Sequence, residues 1–278
     1  MFYLFLAILS SALISILMRL SSHKIRDNIA MLAVNYCTCA FLSLLYTLDG
    51  GLFPAGPALP AALGMGVIHG FLYLLSFVLF QVNVQKNGVV LPAIFMKLGL
   101  LVPMVLSIFL FREIPSLTQI LGFCIAVAAI FLINLEKSTD KLEFRGGLVL
   151  LLLAGGFADA MSKIYEQLGS RTLSPQFLFY TFLTALILCL GLMIAKKQRI
   201  GRAELLYGFL IGIPNFFSAK LLLGALEDIP GVVAYPTYSV STIFAVTLFG
   251  VFLFREALTR RQWISISAIA AALVLLNI

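Results

Sequence analysis

Charge is scarce in this sequence. Asp, Glu, Lys and Arg together make up 11% of 278 residues, whereas soluble domains carry about 25%. A surface so poor in charge cannot face water all round, which excludes a soluble enzyme or binding module. Histidine and tryptophan are rarer still, at two and one. Neither a base beside a nucleophile nor a clustered set of metal ligands can be drawn from so few groups, so the chain is expected to be neither an enzyme nor a metal- or cofactor-binding protein. No glycine-rich loop of the phosphate-cradling kind occurs, which leaves an ion gradient or solute exchange as driving force. The four cysteines, Cys37, Cys39, Cys124 and Cys189, all lie in apolar runs. Cys37 and Cys39 are two apart and point to different faces of a helix, so they form neither a metal pair nor a local disulfide.

What is abundant is apolar length. Hydrophobic residues reach 62%, against about 45–50% in soluble domains. A spanning helix needs about 20 mostly apolar residues, and ten such runs can be read: 1–20, 29–48, 59–82, 88–111, 116–135, 147–166, 176–195, 204–226, 231–254 and 260–278. The first is apolar from Met1, without a basic leader or small-residue cleavage site, and reads as a span rather than a signal peptide. A polar stretch at 81–86 is expected to separate the third and fourth runs, and residues 136–146 form the longest connection.

The net charge of +7 is not a nucleic-acid signal, because the cations lie in short segments between apolar runs and form no basic stripe with interleaved aromatics. Loops after the odd spans hold fourteen of the Lys and Arg residues, those after the even spans only Arg112 and Arg171. The positive-inside bias therefore predicts cytoplasmic odd loops and extracytoplasmic termini.

A repeat runs through the chain. Phe109-Leu110-Phe111-Arg112-Glu113 recurs as Phe252-Leu253-Phe254-Arg255-Glu256, a shift of 143. At that shift Gly88-Val89-Val90 meets Gly231-Val232-Val233, Gln119 meets Gln262 and Asn134 meets Asn277. Gly66-x-x-x-Gly70 and Gly208-x-x-x-Gly212, and Pro92 and Pro236, agree to within one residue. The repeats are placed at 1–136 and 146–278 of a single transmembrane domain. With five spans per repeat, the second copy enters the membrane from the opposite side. The expected fold class is an all-α integral membrane protein of ten transmembrane helices in two inverted five-helix repeats, an arrangement that secondary carriers use to alternate access around a midplane site.

This pattern resembles the drug/metabolite transporter superfamily, in particular its ten-helix EamA-like members. The likeness rests on the five-plus-five arrangement, the short loops and an acidic dipeptide closing spans 4 and 9, here Arg112-Glu113 and Arg255-Glu256 where the family usually has Gly-Glu. The resemblance implies a central cavity lined mainly by spans 1, 3, 4, 6, 8 and 9, and a working unit of one chain. Small four-helix relatives couple to protons through a glutamate in their first helix; Met1–Leu20 contains no acid, so that device is absent here.

Charge within the bilayer is costly and marks candidate function. Lys97 lies near the middle of span 4, Asp159 and Lys163 in span 6, Lys220 in span 8 and His69 in span 3. Asp159 and Lys163, four apart, share a helix face and form either a self-contained ion pair or a coupling site. Lys97 and Lys220 have no acid within reach on their own helices and are expected to border the cavity and attract an acidic group of a substrate. His69, Asn215 and Tyr238 are further candidate contacts, with interhelical hydrogen bonding as their ordinary role. Pro92, Pro214 and Pro236 are read as interrupting spans 4, 8 and 9.

The function so indicated is secondary transport of a small polar metabolite, anionic or zwitterionic, in a bacterial inner or plasma membrane. The expected partners are that solute, the lipid bilayer and a coupling proton or exchanged solute. Export of lipophilic or quaternary cations is the alternative; an intramembrane enzyme or a scaffold explains less.

Overall fold

The computed structural model describes residues 1–21, 24–48, 50–87, 90–134, 145–254 and 260–278. The 136–144 loop, the glycine-valine pair at 88–89 and the Arg255-Glu256 copy of the acidic motif lie outside the described residues. Helices account for nearly all of the rest: α1 (Phe2–Ser21), α2 (Asn28–Thr47), α3 (Leu59–Asn87), α4 (Val90–Leu98), α5 (Leu101–Phe111), α6 (Leu117–Asn134), α7 (Arg145–Leu168), α8 (Ser174–Ala195), α9 (Arg202–Leu226), α10 (Gly231–Phe254) and α11 (Arg260–Leu276). With α4 and α5 as two halves of the fourth, these make ten spans. Among the described residues seven helices are long and apolar enough to cross a membrane, and three shorter apolar helices, Phe95–Phe111, Leu117–Leu132 and Trp263–Leu276, supply the others. A backbone in hydrocarbon must satisfy its own polar groups, and an all-helical chain does so.

Two boundaries differ from expectation. The polar stretch 81–86 does not end the third span, because α3 continues to Asn87; Asn83 is buried and donates to the carbonyls of Leu79 and Gly147, 2.8 and 3.0 Å away, so both hydrogens of its NH2 group are taken up inside the bundle. Pro214 and Pro236 sit inside unbroken α9 and α10, and Pro92 falls in the first turn of α4, where its missing N–H costs nothing. The fourth span breaks instead at Gly99-Leu100. There Gly99 and Leu100 bond back three residues, to Met96 and Lys97, and Pro103 cannot donate to Gly99, so the α-helical ladder lapses.

The helix pairings obey a two-fold exchange of the halves. Spans 2 and 7 (α2, α8) pack on each other, as do spans 5 and 10 (α6, α11). Span 1 packs on span 8 as span 6 packs on span 3; span 2 packs on span 8 as span 7 packs on span 3; span 1 packs on span 9 as span 6 packs on both halves of span 4. Glycines make the equivalent pairs close. A Cβ on Gly66 would meet Tyr180 Cβ and the Phe177 carbonyl at 2.7 and 2.9 Å, and one on Gly208 would meet the Met31 carbonyl and Val34 Cβ, each at 2.6 Å. Without a hydrophobic drive between helices in lipid, such close backbone packing holds a bundle together.

The two faces of the bundle are tied differently. On the face with the cation-rich loops, Glu204 at the start of α9 accepts the N–H groups of Arg26, at 2.7 Å, and Asp27, at 3.3 Å, and Asp27 accepts that of Arg199. On the face that holds both termini, α5 ends in a left-handed cap at Arg112, φ 54°. The N–H groups of Arg112 and Glu113 both turn back to Ser107 O, and this turn aims Glu113 at α10. Its carboxylate accepts the Val232 N–H at 3.1 Å, where the helix dipole favours negative charge.

Candidate functional site

The site is built where α4–α5 crosses α7. A Cβ on Gly99 would lie 3.1 Å from Gly156 N, and one on Gly156 would meet Gly99 O and Val102, so the two backbones touch. Lys97 precedes this crossing by two residues and Asp159 follows it by three. The contact brings the two charges within electrostatic reach, yet among the described residues no ion pair joins them within 4.0 Å.

Asp159 is exposed although charged or phenolic groups from three other spans surround it. The lipid side of α7 is marked by exposed Val149, Leu150, Leu153 and Phe157, and Asp159 is two residues beyond Phe157, about 200° round the helix. It therefore faces inward. Lys97 from α4, Tyr73 from α3, and Tyr235 and Tyr238 from α10 all interact electrostatically with it. A carboxylate inside the bundle that remains exposed lines open space between the spans. Lys97, Tyr73 and Tyr238 are half-buried around the same space.

The supporting groups are fixed by hydrogen bonds. Tyr238 and Ser218 share one of 2.7 Å beside Ser11 of α1, Ser218 reaches the Ala7 carbonyl of α1 at 3.5 Å, and Tyr235 donates to the Asp159 carbonyl at 3.0 Å. Spans 1, 8 and 9 are thereby joined to span 6. His69 is buried, stacks on Phe177, meets Tyr73 at a tilt, and approaches Thr181 through Nδ1 at 3.4 Å. It is an interhelical strut between α3 and α8. Asn215 donates to Asn35 at 3.3 Å across α9 and α2, a similar strut.

Two expected groupings are corrected. Asp159 and Lys163 do not pair. Lys163 binds Glu113 at 2.9 Å and Glu166 at 2.8 Å, because the Arg112 turn delivers a carboxylate from another span. The chain of charge continues through Arg171, 3.9 Å from Glu166 and 3.8 Å from Glu227, and knits together the terminal ends of spans 4, 6, 8 and 9. Lys97 and Lys220 do not border one cavity either. Lys220 is two residues past Ser218, which meets Tyr238 and the Ala7 carbonyl, so it leaves α9 about 200° away from that side. Its ammonium rests 3.1 Å above the centre of the Tyr46 ring.

Sequence reading passed over Tyr73, Ser218 and Ser11 as site residues. Tyr73 lies one turn after His69, and that spacing was the available signal. Among the described residues no group of three or more His, Cys, Asp or Glu is placed to hold a metal ion.

The model of the EamA-like transporter family matches the chain twice, over residues 1–135 and 146–278. The chain belongs to the EamA-like transporter family. An uncharacterized protein of Haemophilus influenzae is 23% identical over 273 residues, covering 95% of this chain and 93% of that one. A protein of known crystal structure shares the fold with a TM-score of 0.74 at 13% identity, covering 99% of this chain and 94% of its own. As an EamA-like protein the chain is a multi-pass membrane transporter and not an enzyme, and the two matched stretches correspond to the halves whose helix pairings exchange.

Proposed function

We propose that this EamA-like protein is a secondary carrier for a small zwitterionic metabolite of the amino-acid type, working by alternating access. The observation that carries the reading is the accessible Asp159 carboxylate beside a Lys97 ammonium with which it forms no direct pair. Opposite charges held apart in a cavity are complementary to a solute with both charges: its ammonium meets Asp159, its carboxylate meets Lys97. Lys163 is neutralised by Glu113 and Glu166 and Lys220 faces away, so the cavity has no surplus positive charge to favour a plain anion. The charge network on the terminal face is the closed gate of one access state. Export of an organic cation is the second reading, favoured by the three tyrosines around Asp159, since aromatic faces attract ammonium groups.

Thermal stability of the purified protein discriminates between these readings when amino acids, organic acids and quaternary ammonium ions are each added. Bound solute stabilises by mass action, about 2.7 kcal/mol at a hundred times Kd. Amino acids are expected to raise the melting temperature of the native protein and not of Lys97→Gln. A response to quaternary cations alone, undiminished in Lys97→Gln, establishes the cation reading instead.

The excess of Lys and Arg in odd loops supports a cytoplasmic location for Lys196–Arg202 in a bacterial inner membrane, with both termini outside. A cysteine at exposed Ile200 is then protected from an impermeant thiol reagent in intact cells, while one at exposed Pro57 is labelled. The opposite pattern reverses the orientation.

A further inference from the structure

Lys220, which the transport cavity does not use, belongs to a pocket of about 250 Å³ between the terminal ends of α1, α2, α8 and α9. Its lining includes Tyr3, Tyr46, Lys220, Glu227 and Asp228. That volume falls below the ~300–1,000 Å³ of sites for drug-sized ligands and suits a compact polar group. The location is decisive. Along α9, Leu206, Leu210, Ile213, Phe217, Lys220 and Gly224 recur at alternating steps of four and three, one continuous stripe. Leu206 and Leu210 are exposed, Ile213 and Phe217 half-buried, and the stripe lies opposite the side on which Ser218 meets α1 and α10. It is a lipid-facing lane that ends in a charged pocket. Lys220 lies about 9 Å below the end of α9, at 1.5 Å per residue. Its side chain snorkels to Tyr46, in the last turn of α2, at the level where tyrosines mark a membrane interface.

We propose that this pocket is a binding site for the headgroup of a zwitterionic phospholipid with a primary ammonium, phosphatidylethanolamine in chemical class. A lysine ammonium makes charge-assisted hydrogen bonds to phosphate oxygens. Lys220 supplies the phosphate contact, Asp228 and Glu227 accept the ammonium, and the acyl chains lie along the Phe217–Leu206 lane. The carboxylates give the site its selectivity: a primary ammonium donates three hydrogen bonds to them, whereas a trimethylated one donates none, and an anionic glycerol headgroup is repelled.

The test uses the full-length protein in nanodiscs made of equal parts phosphatidylethanolamine, phosphatidylcholine and phosphatidylglycerol, with retained lipids counted by native mass spectrometry. The native protein is expected to retain phosphatidylethanolamine in preference to both others. Lys220→Gln lowers its retention about ten-fold, the size of effect that loss of one charge-assisted contact produces. Asp228→Asn keeps phospholipid bound but erases the preference for ethanolamine over choline. Asp159→Asn, in the transport cavity, leaves the lipid pattern unchanged and so separates this site from the proposed substrate site. Equal retention of the three lipids by the native protein overturns the proposal, as does phosphatidylethanolamine retention that Lys220→Gln leaves unchanged. Binding of water-soluble glycerophosphoethanolamine as tightly as the intact lipid makes the occupant an aqueous solute and overturns it too.

Discussion

Asp159→Asn is expected to lower substrate affinity and transport by roughly ten- to a hundred-fold while leaving the empty protein as stable as before. The loss follows from one charge-assisted hydrogen bond, worth about 1.5–3 kcal/mol, at about 1.4 kcal/mol per decade of affinity. The unchanged stability follows from geometry. Asp159 is exposed to the cavity, and the interaction that ties this residue to its neighbours is accepted by its backbone carbonyl from Tyr235, which asparagine retains. Substitutions away from buried networks usually change stability by less than about 0.5 kcal/mol. Transport assayed in proteoliposomes, beside the melting temperature of the empty protein, reads both parts. Native transport by Asp159→Asn rules out the carboxylate as a substrate contact. A large fall in the melting temperature makes Asp159 a structural residue.

Lys163→Met is expected to have the opposite profile, a severe loss of stability whatever the substrate. Lys163 has a side chain 3% exposed, held between Glu113 and Glu166, themselves 14% and 6% exposed. Removing the cation leaves two carboxylates buried with their partner gone, and breaking a buried pair in this way costs about 3–5 kcal/mol. Arg171 cannot take over, because it is 64% exposed and no closer than 3.9 Å to Glu166. Adding Glu113→Gln is expected to restore part of the loss, since the amide oxygen still accepts the Val232 N–H without bringing charge. Thermal unfolding of both variants measures the effect. Equal stability of Lys163→Met and the native protein removes the network from the account of how the terminal face is closed.

The acidic motif shows how a legible sequence signal acquires its reason from the structure. Glu113 stands out through its recurrence as Glu256, which reveals the repeat but not the task. The left-handed turn at Arg112 gives it two: cap of α10 and partner of Lys163. Neither is visible in the sequence, because Val232 is 119 residues away and nothing local links them. The Asp159–Lys163 spacing misleads for the same reason. A separation of four licenses an ion pair, but it cannot register a carboxylate arriving from a different span. His69 and Asn215 were recognisable as polar residues in apolar runs, and interhelical hydrogen bonding, their ordinary role, is what the geometry gives them.

The sequence by itself determined the class and the ten spans, since those rest on apolar length. Bilayer thickness sets the number of residues per span, so length alone carries that information. Which way each buried charge points was decided only by the tertiary structure. In a soluble helix the polar side faces water and the apolar side the core, and periodicity separates them. Lipid is as apolar as the interior of the bundle, so a span that is apolar all round says nothing of which side meets a neighbour, the bilayer or a cavity. Lys97 and Lys220 look alike in sequence, each a single cation amid apolar neighbours. The Gly99–Gly156 crossing turns the first toward Asp159 in the cavity. The packing of Ser218 against α1 and α10 turns the second outward to Tyr46 and the membrane.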